Sequence, residues 1–437
     1  MLNTLKATWG RHRRVIDNFV ALSVVQFANY LAPLILIPYL TRVLGLSRYG
    51  LVELARAISV YFLILTDYGF SLSATREASI HRDDPGRLSE VFSSVMLLKL
   101  LLVLLSAGTL SVIVFAVPRL RPDWPIYYLS FASVIGMWLF PMWLFQGLER
   151  MKHIAVLNVA AKALVIVATL VFVRDPNDYL YVPMLNSAGS LVIGLAGLTL
   201  AWRSLPIRFR WPSVGALKRE FVNGWHLFVS RIAASLCTTS NVVVLGLFAD
   251  NVSVAYFAAG EKIVRAAADG LLIPLSQAIF PHISRLASQS KQKGLRFAAK
   301  VAGLLSVITL MISAGLFLGA PYIARVALDR DSQGGAMVIR ILSLLPFIVG
   351  LNNMFGVQIM ANFGLKKLLA RILVAAGILN IFVAALLAAS LKHVGAAIAL
   401  LTTEVFVTMA TCVALRYHGL HLVGALNKDV DSQETVA

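Results

Sequence analysis

The stretch YGLVELARAISVYFLILTDYGF, residues 49–70, is apolar enough to cross a bilayer and yet carries Glu53, Arg56 and Asp67. The chain around it has the same character. Of its 437 residues, 59% are hydrophobic and 14% charged, whereas soluble domains run near 25% charged. Mean hydropathy is +0.80. Apolar windows of about 20 residues recur along the whole length, as a ~30 Å hydrocarbon core requires of a helix rising 1.5 Å per residue. The composition predicts an all-α polytopic membrane protein.

Twelve such windows can be counted, at 19–41, 51–70, 91–117, 125–147, 154–173, 179–202, 221–249, 253–280, 298–320, 337–361, 368–391 and 394–415. Assigning the connections to alternate sides tests that count, because a missed span would scramble the charge bias. One set, which includes both termini, holds 24 Lys and Arg against 8 in the other. Basic loops stay in the cytoplasm, so both termini are expected there. This topological bias also accounts for much of the formal charge of +18, and with no zinc or RNA-binding signature a nucleic-acid partner is not expected.

The basic connection 203–220 falls midway and is expected to join two six-helix halves, 1–202 and 221–415, ahead of a cytoplasmic tail, 416–437. The N-terminus has the basic-then-apolar order of a secretory signal, but its apolar run is too long and lacks a small-x-small cleavage site. It is expected to be a retained first span. Cys237 and Cys412 lie inside apolar windows, where a small core residue is the ordinary reading. No loop exceeds about twenty residues, and Walker, zinc and nucleophile-elbow motifs are absent. Neither an enzyme nor an ATP-driven pump is expected, and no cofactor.

Ionisable residues within the spans are the candidates for function, because a charge at the bilayer centre costs roughly 2.5–3.5 kcal/mol and normally faces a bundle interior or water. Glu53 precedes Arg56 by three residues and can pair with it, and Asp67 lies three turns beyond Arg56, about 16 Å along the same face. The eighth span repeats the theme: Glu261 is four residues before Arg265 and Asp269 four after, with Lys262 on a neighbouring face. VLGLSRYGLVELARAI (43–58) and VLGLFADNVSVAYFAAGEKI (244–263) are a weak internal echo that places a charged helix second in each half, and internal repeats of this kind mark transporters. Lys99, Lys162, Arg231 and Arg340 are further basic candidates, for a wet path or as interfacial anchors. Asn241, Asn380, Thr402, Thr403 and Glu404 could bind a cation or simply join helices. Pro33, Pro38, Pro141, Pro274, Pro281 and Pro346 are expected to favour kinks. Gln26, Asn29 and Tyr30 add polar groups to the first span.

The run PYLTRVLG followed by YG, then DYGFSLSATREAS, resembles the start of Wzx-type polysaccharide flippases of the multidrug/oligosaccharidyl-lipid/polysaccharide exporter superfamily. FPMWLFQGLERMKHIAVLN (140–158), AYFAAGEKIVRAA (255–267) and PLSQAIFPHISRLAS (274–288) agree with it. The similarity covers nearly the whole chain and is stronger before about residue 290 than after it. It implies two pseudo-symmetric six-helix bundles facing each other in a V, with a central cavity open alternately to either side of a bacterial inner membrane. It also implies a polyprenyl-pyrophosphate-linked oligosaccharide as cargo, without ATP hydrolysis. A pyrophosphate and a glycan cannot cross hydrocarbon unaided, so Arg56, Lys99, Lys162, Arg231, Lys262 and Arg265 are the expected cationic lining. Asp67, Asp269 and Glu404 are the expected counter-charges or proton-linked groups, with Glu53 and Glu261 as structural partners. Coupling to protons or sodium is plausible for the superfamily, and a polysaccharide polymerase and a chain-length regulator are plausible partners beside membrane lipids. The rival readings are a multidrug or organic-cation antiporter of the same superfamily and an intramembrane polysaccharide polymerase.

Overall fold

The computed structural model describes residues 2–328 and 332–420, with side chains from residue 30 onward apart from 152–154. The side chains of Gln26 and Asn29, residues 329–331 and the tail from 421 lie outside the described residues. All the described elements are helical, and they divide into two compact units, Met1–Ile232 and Ala233–Ala437.

The first unit contains α1 (Leu2–Asp67), α2 (Phe70–Ile80), α3 (Pro85–Ala116), α4 (Trp124–Leu139), α5 (Met142–Gly147), α6 (Met151–Phe172), α7 (Tyr181–Ser204) and most of α8 (Val214–Thr238). α1 covers the first two expected spans, divided by Gly45, whose φ of 75° and ψ of 160° break the helix. A side chain there would be strained, which is why glycine supplies the break. A second break separates α1 from α2, where Tyr68 (φ 45°) and Gly69 (φ 80°) are both left-handed. α3 starts on an Asp84 cap that accepts from the Gly86 and Arg87 amides, with Pro85 following it, an arrangement suited to donors that have no intrahelical partner. Pro141 and Pro346 do not kink continuous helices. Each opens a new one, Pro141 as the cap of α5 and Pro346 in the first turn of α13 (Leu345–Asn352).

The second unit holds α9 (Ser240–Phe248), α10 (Asn251–Gln289), α11 (Lys291–Leu328), α12 (Gln333–Leu342), α13, a π-helical turn Asn353–Met360, and α14 (Lys366–Tyr417). α14 contains the last two expected spans, divided at Lys392 (φ 50°, ψ −128°). Lys392 Nζ donates to Asp250 Oδ2 at 2.9 Å, and Asp250 also caps α10 by accepting from the Ser253 amide at 2.8 Å. One carboxylate thus ties the break in α14 to the start of α10.

Among the described residues, nine helical segments are long and apolar enough to cross a membrane, and α8 with α9, bent by 52°, makes a tenth. Two of the nine are broken inside, Tyr30–Ile80 at Gly45 and again at Tyr68 and Gly69, and Lys366–Tyr417 at Lys392; the first ten windows and the last two expected spans fall on these helices. The chain is a multi-pass helical membrane protein. The division between compact units falls later than the 203–220 connection, at Ile232 and Ala233 within α8. The first part of α8 therefore belongs with the first unit. Tyr68 explains how it is held: its ring stacks on Phe221 and Phe228, with centroids 4.4 and 4.7 Å away.

Candidate functional site

Two separate charged constellations emerge, one in each unit. In the first unit Asp67 ends α1, so its carboxylate projects from a break in the helix. Arg231 of α8 donates Nη1 to Asp67 Oδ2 at 2.5 Å and to Ser71 Oγ at 2.9 Å. Lys99 of α3 brings Nζ to 4.0 Å from Asp67 Oδ1. The Lys99 side chain is 6% exposed, against 24% for Asp67 and 48% for Arg231, so a buried ammonium and a half-exposed guanidinium share one carboxylate. Their formal sum is one positive charge.

Arg56 and Asp67, expected on one face, have different partners. Arg56 Nε donates to Glu53 Oε2 at 2.8 Å, with Glu53 buried and the Arg56 side chain half exposed. This is a neutral pair within α1. Lys162 on α6 is partly buried and, among the described residues, makes no ion pair.

In the second unit Arg265 Nε donates to Glu261 Oε1 at 2.8 Å along α10. Asp269 and Glu404 are close enough to Arg265 to act on it electrostatically. Glu404 Oε2 accepts from Asn352 Nδ2 at 2.7 Å, and Asn352 Oδ1 in turn accepts from Thr408 Oγ1 at 2.6 Å. Three carboxylates thus surround Arg265, and counting partly buried Lys262 they still outnumber the cations three to two. Arg340 is exposed on α12, as an interfacial anchor would be.

The uncharged residues considered for a cation separate. Asn380 donates to the Leu236 carbonyl and Ser240 Oγ, both at 2.9 Å, and accepts from Thr403 Oγ1 at 3.0 Å. Each group of Asn380 has a protein partner, so it fastens α14 to α8 and α9, whereas Asn241 on α9 is buried and, among the described residues, neither its Oδ1 nor its Nδ2 has a hydrogen-bond partner. Thr402 is exposed. Glu404 belongs instead to the Arg265 constellation.

Sequence reasoning missed Ser71 and Asn352. Both are ordinary polar residues in apolar surroundings, and only their contacts with Asp67 and Glu404 single them out. It also missed Tyr68. Its position directly after Asp67 and before Gly69 carries a local signal, since a helix that ends in Tyr-Gly can aim its last carboxylate away from its own axis.

The family model described as polysaccharide biosynthesis protein matches residues 15–287. A relative from Escherichia coli (strain K12), named as an O-antigen transporter, is 32% identical over 92% of this chain and 97% of its own length. A second, from Shigella dysenteriae and named likewise, is 29% identical over 91% and 99%. Solved structures of similar fold include an inward-facing multidrug resistance MATE family transporter of the MOP superfamily, with a TM-score of 0.69 at 15% identity, covering 93% of this chain and 98% of that one. The lipid II flippase MurJ in its inward closed conformation gives 0.68 at 13%, covering 90% and 87%. The two structures agree with the fold, and the family match takes in Asp67, Lys99 and Arg231 of the first constellation and Glu261, Arg265 and Asp269 of the second, while Asn352, Glu404 and Thr408 lie beyond it. The chain belongs to the polysaccharide biosynthesis protein family.

Proposed function

We propose that the protein translocates a polyprenyl-pyrophosphate-linked oligosaccharide unit from the cytoplasmic to the periplasmic leaflet of a bacterial inner membrane, for surface polysaccharide assembly. It acts as a transporter, not an enzyme, with both termini cytoplasmic, and a polysaccharide polymerase and chain-length regulator receive its product. The names of its relatives and the family support this reading. The observation that carries it is the convergence of Lys99 and Arg231 on Asp67, which leaves uncompensated positive charge inside a membrane-spanning unit. Such charge is costly in hydrocarbon and useful to an anionic headgroup that must leave water.

The constellations divide the work. The first unit, with Lys99, Arg231, Arg56 and Lys162, supplies anion-binding groups, and Asp67 holds two of them in place. In the second unit the Arg265 guanidinium is already surrounded by carboxylates, so Asp269 and Glu404 carry the coupling ion, a proton or sodium, while Glu261 fixes Arg265. Transport proceeds by alternating access. Multidrug antiport is the competing reading, favoured by the surplus of carboxylates around Arg265.

Arg231→Ala and Lys99→Ala, stably expressed in a strain lacking its own flippase, should each lower surface polysaccharide by roughly tenfold, the worth of one charge-assisted hydrogen bond. Wild-type levels in both variants would overturn the cationic path, and wild-type levels in Arg56→Ala and Arg265→Ala would remove those two residues from the mechanism. Drug resistance conferred on an efflux-deficient host, without polysaccharide, would favour the antiporter.

A further inference from the structure

The segment between α7 and α8 has the composition of a free connection but is fastened along its length. Leu205 and Ile207 are buried in the core of the first unit beside Phe92 and Leu88. Beyond them the backbone amides of Arg208 and Arg210 donate to Ser89 Oγ at 3.0 Å and Ser93 Oγ at 2.9 Å. The match is geometric: two residues of non-helical chain advance about 6.6 Å and four helical residues about 6 Å, so alternate amides meet successive turns of α3. Both serines are buried and donate their own protons to carbonyls four residues back, Ser89 to that of Pro85 at 2.6 Å and Ser93 to that of Ser89 at 2.8 Å. Their oxygens are thereby turned to accept from the segment.

What the fastened segment presents outward is specific. Phe209 is 49% exposed and Trp211 83%, their rings edge to face at 5.6 Å. Arg203, Arg208, Arg210 and Lys218 are exposed around them, and among the described residues none makes an ion pair. Trp202, at the end of the membrane-spanning α7, is 54% exposed. The segment therefore leaves one span and enters the next at the membrane boundary, on the side whose loops are rich in Lys and Arg. Tryptophan beside a span favours the headgroup level, and clustered arginines favour anionic lipid there.

We propose that residues 202–218 form a fixed strap that binds the headgroups of anionic phospholipids at the cytoplasmic surface, with Arg208 and Arg210 on the phosphates and Phe209 and Trp211 seated at the boundary between headgroups and acyl chains. The strap is a lipid-binding surface of the first unit, independent of the cargo. Ser89 and Ser93 are positioning residues, holding the segment against α3 so that the arginines meet the lipid preordered.

The test uses the full chain in nanodiscs of equal parts phosphatidylcholine and phosphatidylglycerol, with native mass spectrometry to read which lipid stays bound. The wild type should retain phosphatidylglycerol preferentially. R208Q/R210Q should reduce that preference roughly 30-fold, from about fivefold for each arginine near an anionic surface. R208K/R210K should keep most of it, and S89A/S93A should weaken it with every charge intact. R119Q/R121Q, in a loop assigned to the opposite side, controls for general charge. Unchanged preference in R208Q/R210Q, with melting in pure phosphatidylcholine equal to wild type, overturns the proposal. So does loss of polyprenyl-pyrophosphate binding in that variant with phosphatidylglycerol retention intact, which would assign the surface to the cargo.

Discussion

Asp67 has two cations and can satisfy neither without the other, which separates its structural role from theirs. Asp67→Asn leaves Lys99 buried beside Arg231 with no compensating charge. Breaking a buried pair from one side costs about 3 kcal/mol, less here because the Arg231 side chain is half exposed, so thermal unfolding in detergent should show a loss of about 2 kcal/mol. Lys99→Met should behave differently. It removes the buried ammonium and fills its volume, leaves Asp67 to Arg231, and should keep stability within about 1 kcal/mol while polysaccharide export falls. Asp250 permits a test outside the spans. Partial burial works against its charge, but hydrogen bonds from Lys392 and the Ser253 amide outweigh that and hold its carboxyl at about 2. A depressed carboxyl stabilises fully above its unfolded value near 4 and loses that stabilisation as pH falls through about 2. Because both side chains are about half exposed, screening limits the contribution to about 1 kcal/mol. In unfolding measured from pH 5 down to pH 2, Asp250→Asn should therefore be less stable than wild type at the upper end and converge with it at the lower.

The elements that position these residues depend on two glycines. A Cβ on Gly224 of α8 would come within 2.7 Å of the Tyr68 carbonyl oxygen, and one on Gly69 within 2.7 Å of the Leu227 Cβ, so α8 and the break after Asp67 meet backbone to backbone. Gly224→Ala should cost about 1–3 kcal/mol through overpacking and shift α8, moving Arg231 off Asp67. Protection of the 214–232 amides in hydrogen exchange should fall more than that of α4 or α7. This geometry also marks the limit of the sequence. Glu53 with Arg56 and Glu261 with Arg265 were legible because partners three or four residues apart on a helix must meet. Arg231 lies 164 residues from Asp67, and no periodicity relates them. The hold on the 203–220 segment was not legible for a related reason: prolines and arginines describe a solvated connection, but its attachment is made by backbone amides, which every residue except proline carries.

At the scale of the whole molecule, apolar windows made the membrane-spanning helices legible, because length and hydropathy are what a bilayer selects. Which charges remain uncompensated is a property of three-dimensional neighbours, and here the two units differ: two cations share one carboxylate in the first, and carboxylates predominate around Arg265 in the second. For the proposed coupling, Glu404 is the carboxylate to test first. Asn352 and Thr408 hold it from α13 and α14, and Arg265, Glu261 and Asp269 face it from α10. In the proposed coupling, one of the carboxylates around Arg265 exchanges a proton or a monovalent cation, and its release strengthens the hold of Arg265 on the rest. In proteoliposomes loaded with lipid-linked oligosaccharide, an imposed proton gradient should accelerate translocation by the wild type, and a sodium gradient in its place identifies the alternative ion. Glu404→Gln keeps the hydrogen-bonding shape but cannot exchange the ion, so its rate should no longer respond to either gradient. Lys99→Met should lower the rate by the same factor with or without a gradient, because it weakens the hold on cargo and leaves the ion site intact. If Glu404→Gln still responds as the wild type does, the coupling site lies elsewhere, and the carboxylates around Arg265 serve only to fix it.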